Sequence, residues 1–230
     1  MMYIPRVKIC CIKSIDEAAM AVRHGASAIG LVSEMPSGPG PIPESLITEI
    51  ASTIPPGVAT FLLTSLTDTK DIIEQQRRCR TNTIQLTDRL EIGTHAQLRA
   101  AMPGVHIVQV IHVVGEHVIS EAEEIAPDVD AILLDTGNPG LPKKQLGGTG
   151  RTHDWDISRR IRESASVPVI LAGGLREENV VEAIRTVKPY AVDTCSGVRT
   201  GGDLDEKKVA GFLGKVRSIG GNEPQSSPPS

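Results

Sequence analysis

The chain has 230 residues, enough for a single α/β barrel of about 200–250 residues and short for two ordinary domains plus a linker. Aromatic residues supply 2% of it against 40% hydrophobic in total, so the core is aliphatic. That argues against an aromatic RNA-binding face and suits a parallel sheet buried on both sides. The net charge of −4 gives no general attraction for nucleic acid or an anionic membrane, and no apolar run approaches the roughly 20 residues that span a bilayer.

Apolar β-branched runs alternate with longer amphipathic ones along the chain. The predicted strands are Val7–Ile12, Ala28–Val32, Val58–Leu63, Thr83–Leu86, Ile107–His112, Ala131–Leu134, Val167–Ala172 and Ala191–Cys195. Helix-period segments fill the gaps. Ser14 and Asp16 precede Glu17–His24, Pro43 and Glu44 open a run to Ile54, and Asp68 opens one to Arg80. Thr94, Ser120, Asp156, Glu177 and Asp205 lead the others. About eight strand–helix units, with no Gly-x-Gly-x-x-Gly after the first strand, predict a single-domain (β/α)8 barrel over 1–219. The remaining 220–230, rich in Pro and Ser, reads as a disordered tail.

Four cysteines, Cys10, Cys11, Cys79 and Cys195, fit neither a zinc knuckle nor a disulfide framework. With Pro5 and Arg6 interrupting any signal-peptide core, the expectation is a cytoplasmic protein without a metal. The six histidines show no helical ligand pair, and His112 and His117 read as exposed.

In such barrels the chemistry sits at the C-terminal ends of the strands. Lys8 and Cys10 share one face of the first strand, with Val7, Ile9 and Cys11 on the other. A lysine in an apolar strand needs a partner or a task, and beside a thiol it favours the thiolate. Asp135 ends the sixth strand, where a pocket that raised its pKa would make it a general acid. Gly147-Gly148-Thr149-Gly150, Ala172-Gly173-Gly174 and Ser196-Gly197 follow strands six, seven and eight. Exposed backbone amides there favour a phosphate-bearing ligand.

Lys8-Ile9-Cys10, Gln85-Leu86, Leu133-Leu134-Asp135, Gly147–Gly150 with Asp154-Trp155, Leu171–Leu175 with Asn179-Val180, and Val192-Asp193 with Ser196-Gly197 occur in that order. In this order they resemble the phosphoribosylanthranilate isomerases, (β/α)8 enzymes of tryptophan biosynthesis, from about residue 7 to 216. The resemblance implies an Amadori rearrangement of N-(5′-phosphoribosyl)anthranilate without a cofactor. Carried over, Asp135 protonates the furanose oxygen and Cys10 removes the C2′ proton. Gly148, Gly173, Gly174, Ser196 and Gly197 hold the phosphate, and Lys8, Gln85 and Asp193 contact the substrate. The only partner implied is this phosphorylated small molecule, and monomer and homodimer both suit the fold.

The chain departs from the family at the aromatic-acid end. Where the family has Ser-Pro-Arg, with the Arg on the anthranilate carboxylate, Ser37-Gly38-Pro39 stand here. Thr87-Asp88 replace a His-Gly, Cys11 replaces a Gly and Arg199 a Glu. Either Arg199 or Arg151 restores the missing charge, or the aglycone differs. Another isomerase, epimerase or lyase of a sugar phosphate, and a non-catalytic phosphate-binding barrel, are the competing readings.

Overall fold

The computed structural model describes residues 4–137 and 152–220. Eight parallel strands close a barrel in sequence order: β1 (Arg6–Ile9), β2 (Ala28–Val32), β3 (Ala59–Thr64), β4 (Thr83–Leu86), β5 (His106–His112), β6 (Ala131–Asp135), β7 (Val169–Leu171) and β8 (Ala191–Thr194). β1 pairs with both β2 and β8, with Lys8 beside Ala28 on one side and Asp193 on the other. Helices α1 (Ile15–Arg23), α2 (Glu44–Thr53), α3 (Thr69–Cys79), α4 (His95–Ala101), α5 (Val118–Ile125), α6 (Trp155–Ser164), α7 (Val180–Val187) and α8 (Glu206–Ser218) follow the strands in turn. Among the described residues no helix is long and apolar enough to cross a membrane.

Strand alternation sorts the core into two shells. Val7, Ile9, Ile29, Leu31, Leu62 and Ile84 point outward against Ala18, Ile47, Ile72 and their neighbours on the helices. Ala28, Val32, Phe61, Leu63, Val108, Leu133 and Ile170 fill the barrel. Helix starts follow local chemistry. The Ser14 hydroxyl accepts from the Glu17 amide, Asp68 from Lys70, and Asp205 from Lys207 and Lys208, while Thr94 and Gln97 form a reciprocal capping box.

The differences from the sequence reading lie at element ends. β1 stops at Ile9 rather than Ile12, because Cys11 takes a left-handed backbone, φ +61°, which no strand continues. Cys11 therefore leaves the outward row and joins the inner cluster. α5 begins at Val118, ahead of Ser120, and α7 begins at Val180, three residues after Glu177. Asp154 caps α6 in place of Asp156. A short antiparallel hairpin, β9 (Arg199–Thr200) and β10 (Asp203–Leu204), precedes α8. Its turn is Gly201-Gly202, both at positive φ, a pair that tight hairpins favour. The 220–230 tail lies outside the described residues beyond Gly220.

Candidate active site

Among the described residues Lys8 is one of the largest fully buried side chains, 1% exposed, and it points into the barrel. Its Nζ donates to Asp193 Oδ2 at 2.8 Å and lies 3.4 Å from Cys10 Sγ and 5.2 Å from the Phe61 ring centre. Burial alone pushes a lysine toward neutrality, but the Asp193 carboxylate and Cys10 outweigh it and hold Lys8 charged above its ordinary pKa. A permanent cation thus sits under the Cys10 sulfur. Gly30 on β2 makes room for it: a Cβ there would lie 2.7 Å from Cys10 Sγ and 3.1 Å from Lys8 Nζ. Sequence reasoning passed over Gly30, although a glycine inside a strand marks a close approach.

Lys8 and Asp193 are a buried pair whose energies are coupled. Removing one partner of such a pair costs about 3–5 kcal/mol, since the other charge is left in a low dielectric. Lys8→Met is therefore expected to lower the urea unfolding midpoint by a corresponding amount. An unchanged midpoint would mean that Asp193 does not depend on this cation.

Asp135 ends β6 and lines the same pocket as Cys10, Gln85, Thr87 and Asp193. Burial raises its pKa. The Thr136 amide on Oδ1 at 2.7 Å and the His112 and Lys8 charges oppose that rise, while Asp193 adds to it. His112 is next to Asp135 across the β5–β6 pair. It is buried, not exposed as its sequence position suggested, because β5 runs to its C-terminal end inside the barrel wall. Its Nε2 contacts the Thr87 carbonyl at 3.0 Å. Gln85 Oε1, Asp193 Oδ1 and His112 Nδ1 are buried with no hydrogen-bond partner. A buried polar atom without a partner is costly, so polar atoms converge here unsatisfied.

Two glycine loops frame one side of the pocket. Gly173 and Gly174 follow β7 at φ +83° and +63°, and Ser196-Gly197 begin a single 3-10 turn after β8. Thr194 Oγ1 donates to the Leu175 carbonyl at 2.7 Å, tying the two loops together, and Asn179 Nδ2 braces the Gly174 carbonyl at 3.0 Å. His153 stands against Gly173, where a Cβ would come 2.9 Å from its Nδ1. Burial pushes His153 down to about 4, so it adds no positive charge at neutral pH. Gly148 lies outside the described residues. At Gly197 a Cβ would come 2.1 Å from the Leu175 carbonyl oxygen and 2.9 Å from Thr194 Oγ1. Gly197→Ala must therefore shift this loop, and KM for a phosphorylated substrate is expected to rise roughly tenfold, the loss of about one hydrogen bond, with less change in kcat. Equal KM values in steady-state kinetics would remove this loop from phosphate recognition.

The pocket lining also includes apolar side chains. Val32, Met35, Pro39 and Leu63 line it with Ser37 and Gly38. Arg199 does not supply the charge missing here. Its guanidinium is spent on Glu17 at 2.9 and 3.0 Å, on the Gly202 carbonyl at 3.0 Å and on the Cys11 carbonyl. Glu17 is held below its ordinary pKa although burial opposes this, with Arg199 the main compensating partner. Arg151 lies outside the described residues. Among the described residues, the pocket lining includes no arginine or lysine.

The family model for N-(5′-phosphoribosyl)anthranilate isomerase matches residues 7–215. The chain is 38% identical over 215 residues to N-(5′-phosphoribosyl)anthranilate isomerase 2 of Methanosarcina mazei, covering 93% of this chain and 94% of that one. The crystal structure of phosphoribosyl anthranilate isomerase from Thermotoga maritima superposes with a TM-score of 0.77 at 29% identity, over 93% and 99% of the two chains. A structure of such an isomerase in complex with reduced 1-(o-carboxyphenylamino)-1-deoxyribulose 5-phosphate gives 0.76 at 25% identity, with the same coverage. The thiol above its lysine, the half-buried carboxyl three strands round the ring and the paired glycine loops thus belong to a known kind of barrel, and the chain is a member of the N-(5′-phosphoribosyl)anthranilate isomerase family.

Proposed function

We propose that the protein isomerises N-(5′-phosphoribosyl)anthranilate to the 1-deoxyribulose phosphate by general acid–base catalysis. The observation that carries this reading is the juxtaposition of Cys10, its Lys8 cation and Asp135 around one pocket. The chemistry needs an acid to open the sugar ring and a base to take a proton from carbon. Asp135, whose pKa burial raises, gives a proton to the ring oxygen, and the C1′–O bond breaks to leave an iminium ion. Cys10, as thiolate above Lys8, removes the C2′ proton. The resulting enolamine tautomerises to the ketone, and Asp135 and Cys10 return to their starting states through solvent.

The remaining groups position the sugar. Gln85 Oε1 and Asp193 Oδ1, both buried and unpartnered, accept from the ribose hydroxyls. The Gly173, Gly174, Ser196 and Gly197 loops receive the phosphate on backbone amides, with Gly148 assigned there by the family pattern alone. The anthranilate ring lies against Val32, Met35, Pro39 and Leu63, so its recognition rests on apolar contact rather than an arginine ion pair. Growth of a bacterium lacking this isomerase on medium without tryptophan tests the reading. The wild-type chain is expected to restore growth and Cys10→Ala to fail at equal expression. Failure of well-expressed, folded wild-type protein would contradict it.

A further inference from the structure

Three thiols meet at the mouth of the barrel, and the isomerisation uses one. Cys11 Sγ and Cys195 Sγ are 2.6 Å apart, one on the loop after β1 and the other directly after β8. Both line the pocket, as does Cys10, and both are free thiols. Cys11 is fixed in direction. Its backbone is left-handed, Arg199 holds its carbonyl, and Gly40 packs so closely that a Cβ there would lie 2.7 Å from Cys11 Cβ. Cys195 is half-buried and is the more accessible of the two.

We propose that Cys11 and Cys195 form an oxidisable dithiol site, closed to an intramolecular disulfide by small-molecule disulfides such as oxidised glutathione. A disulfide needs sulfurs about 2.05 Å apart, so closure moves the pair together by roughly half an ångström. The Cys195 thiolate attacks one sulfur of the reagent and expels one thiolate, leaving a mixed disulfide. Cys11 loses its proton to solvent and attacks Cys195 Sγ, expelling the second thiolate. Two protein thiols are oxidised, and the reagent is reduced to two thiols.

The electrostatics assign the order of attack. The contact with Cys11 and the nearby Arg199 charge hold Cys195 below its ordinary pKa despite burial. Contacts with Cys10 and Cys195, and burial, hold Cys11 well above its own. A lowered, part-exposed thiol beside a cation is the reactive kind. Cys10 belongs instead to Lys8, and Cys79 is fully buried and remote from the pocket lining.

The test is incubation of the full chain with oxidised glutathione, then thiol counting under denaturing conditions and peptide mapping. The four thiols are expected to fall to two, with a mass loss of about 2 Da that dithiothreitol reverses. Trypsin is expected to yield peptide 9–13 joined to peptide 186–199. Both Cys10 and Cys11 lie in the first peptide, so Cys10→Ser decides between them. The cross-link persists in Cys10→Ser and is lost in Cys11→Ser and Cys195→Ala. Four surviving thiols, a stable glutathione adduct on the wild-type chain, or loss of the cross-link in Cys10→Ser would each overturn the proposal. The readout is covalent, so it stands or falls separately from the isomerase reading.

Discussion

Cys10→Ala is expected to lower kcat by about 10²–10⁴-fold, the usual contribution of a positioned proton-transfer group, while KM changes little. The sulfur sits over Lys8 Nζ at 3.4 Å, in space that Gly30 leaves open, and the amides assigned to the phosphate belong to other loops. Deleting it is expected to remove the proposed base without disturbing those loops. The thiol is small and buried, so its loss costs the fold little beside the rate. Steady-state kinetics on folded variant protein check this directly. A kcat within threefold of wild type would place the base elsewhere.

Asp135→Asn is expected to lose catalysis on a similar scale and to gain stability at neutral pH. Burial raises the pKa of Asp135 in the fold, so the native state favours the neutral carboxyl. The stability that goes with the neutral form is complete below the unfolded value, about 3.9, and is lost as pH rises through the raised folded value. At neutral pH the carboxyl therefore contributes less stability than it does at low pH, a loss that asparagine does not undergo. The substituted amide keeps an oxygen to accept the Thr136 N–H now held by Oδ1. The variant is expected to melt above wild type at pH 7, with the gap closing toward pH 4. The same rise is expected to set the alkaline limb of activity, because a general acid works only while protonated. Thermal melts of both proteins across this range decide the matter, and a variant that melts lower at pH 7 would contradict the assignment.

Much of the barrel was legible because its signals are local. The all-buried Ala28–Val32 run and the Ser14, Asp68 and Thr94 helix starts each act within a few residues. Lys8 and Cys10 were placed on one face by strand alternation alone, and both point inward. What escaped the sequence depends on contacts between the two ends of the chain, where β8 closes on β1. The Lys8–Asp193 pair spans 185 residues, the Arg199–Glu17 pair 182, and the Cys11–Cys195 contact 184. Arg199 read as a free charge because nothing near it in sequence announces Glu17. Cys11 was assigned to the outward row because alternation says nothing about where a strand ends, and the left-handed turn that moves it is a backbone event.

The apolar lining of the pocket shows the same limit from another side. Pro39 in place of an arginine raised a doubt about the aglycone, yet Val32, Met35, Pro39 and Leu63 all line the pocket. A ring needs area, and aliphatic side chains supply it as well as aromatic ones. The scarcity of aromatic residues therefore does not count against anthranilate.

The most direct measurement is NMR of N-(5′-phosphoribosyl)anthranilate with the purified wild-type chain. The acid–base mechanism predicts conversion to the 1-deoxyribulose phosphate isomer, absent with Cys10→Ala and with Asp135→Asn. Substrate that binds but persists unchanged beside folded wild-type protein would contradict it.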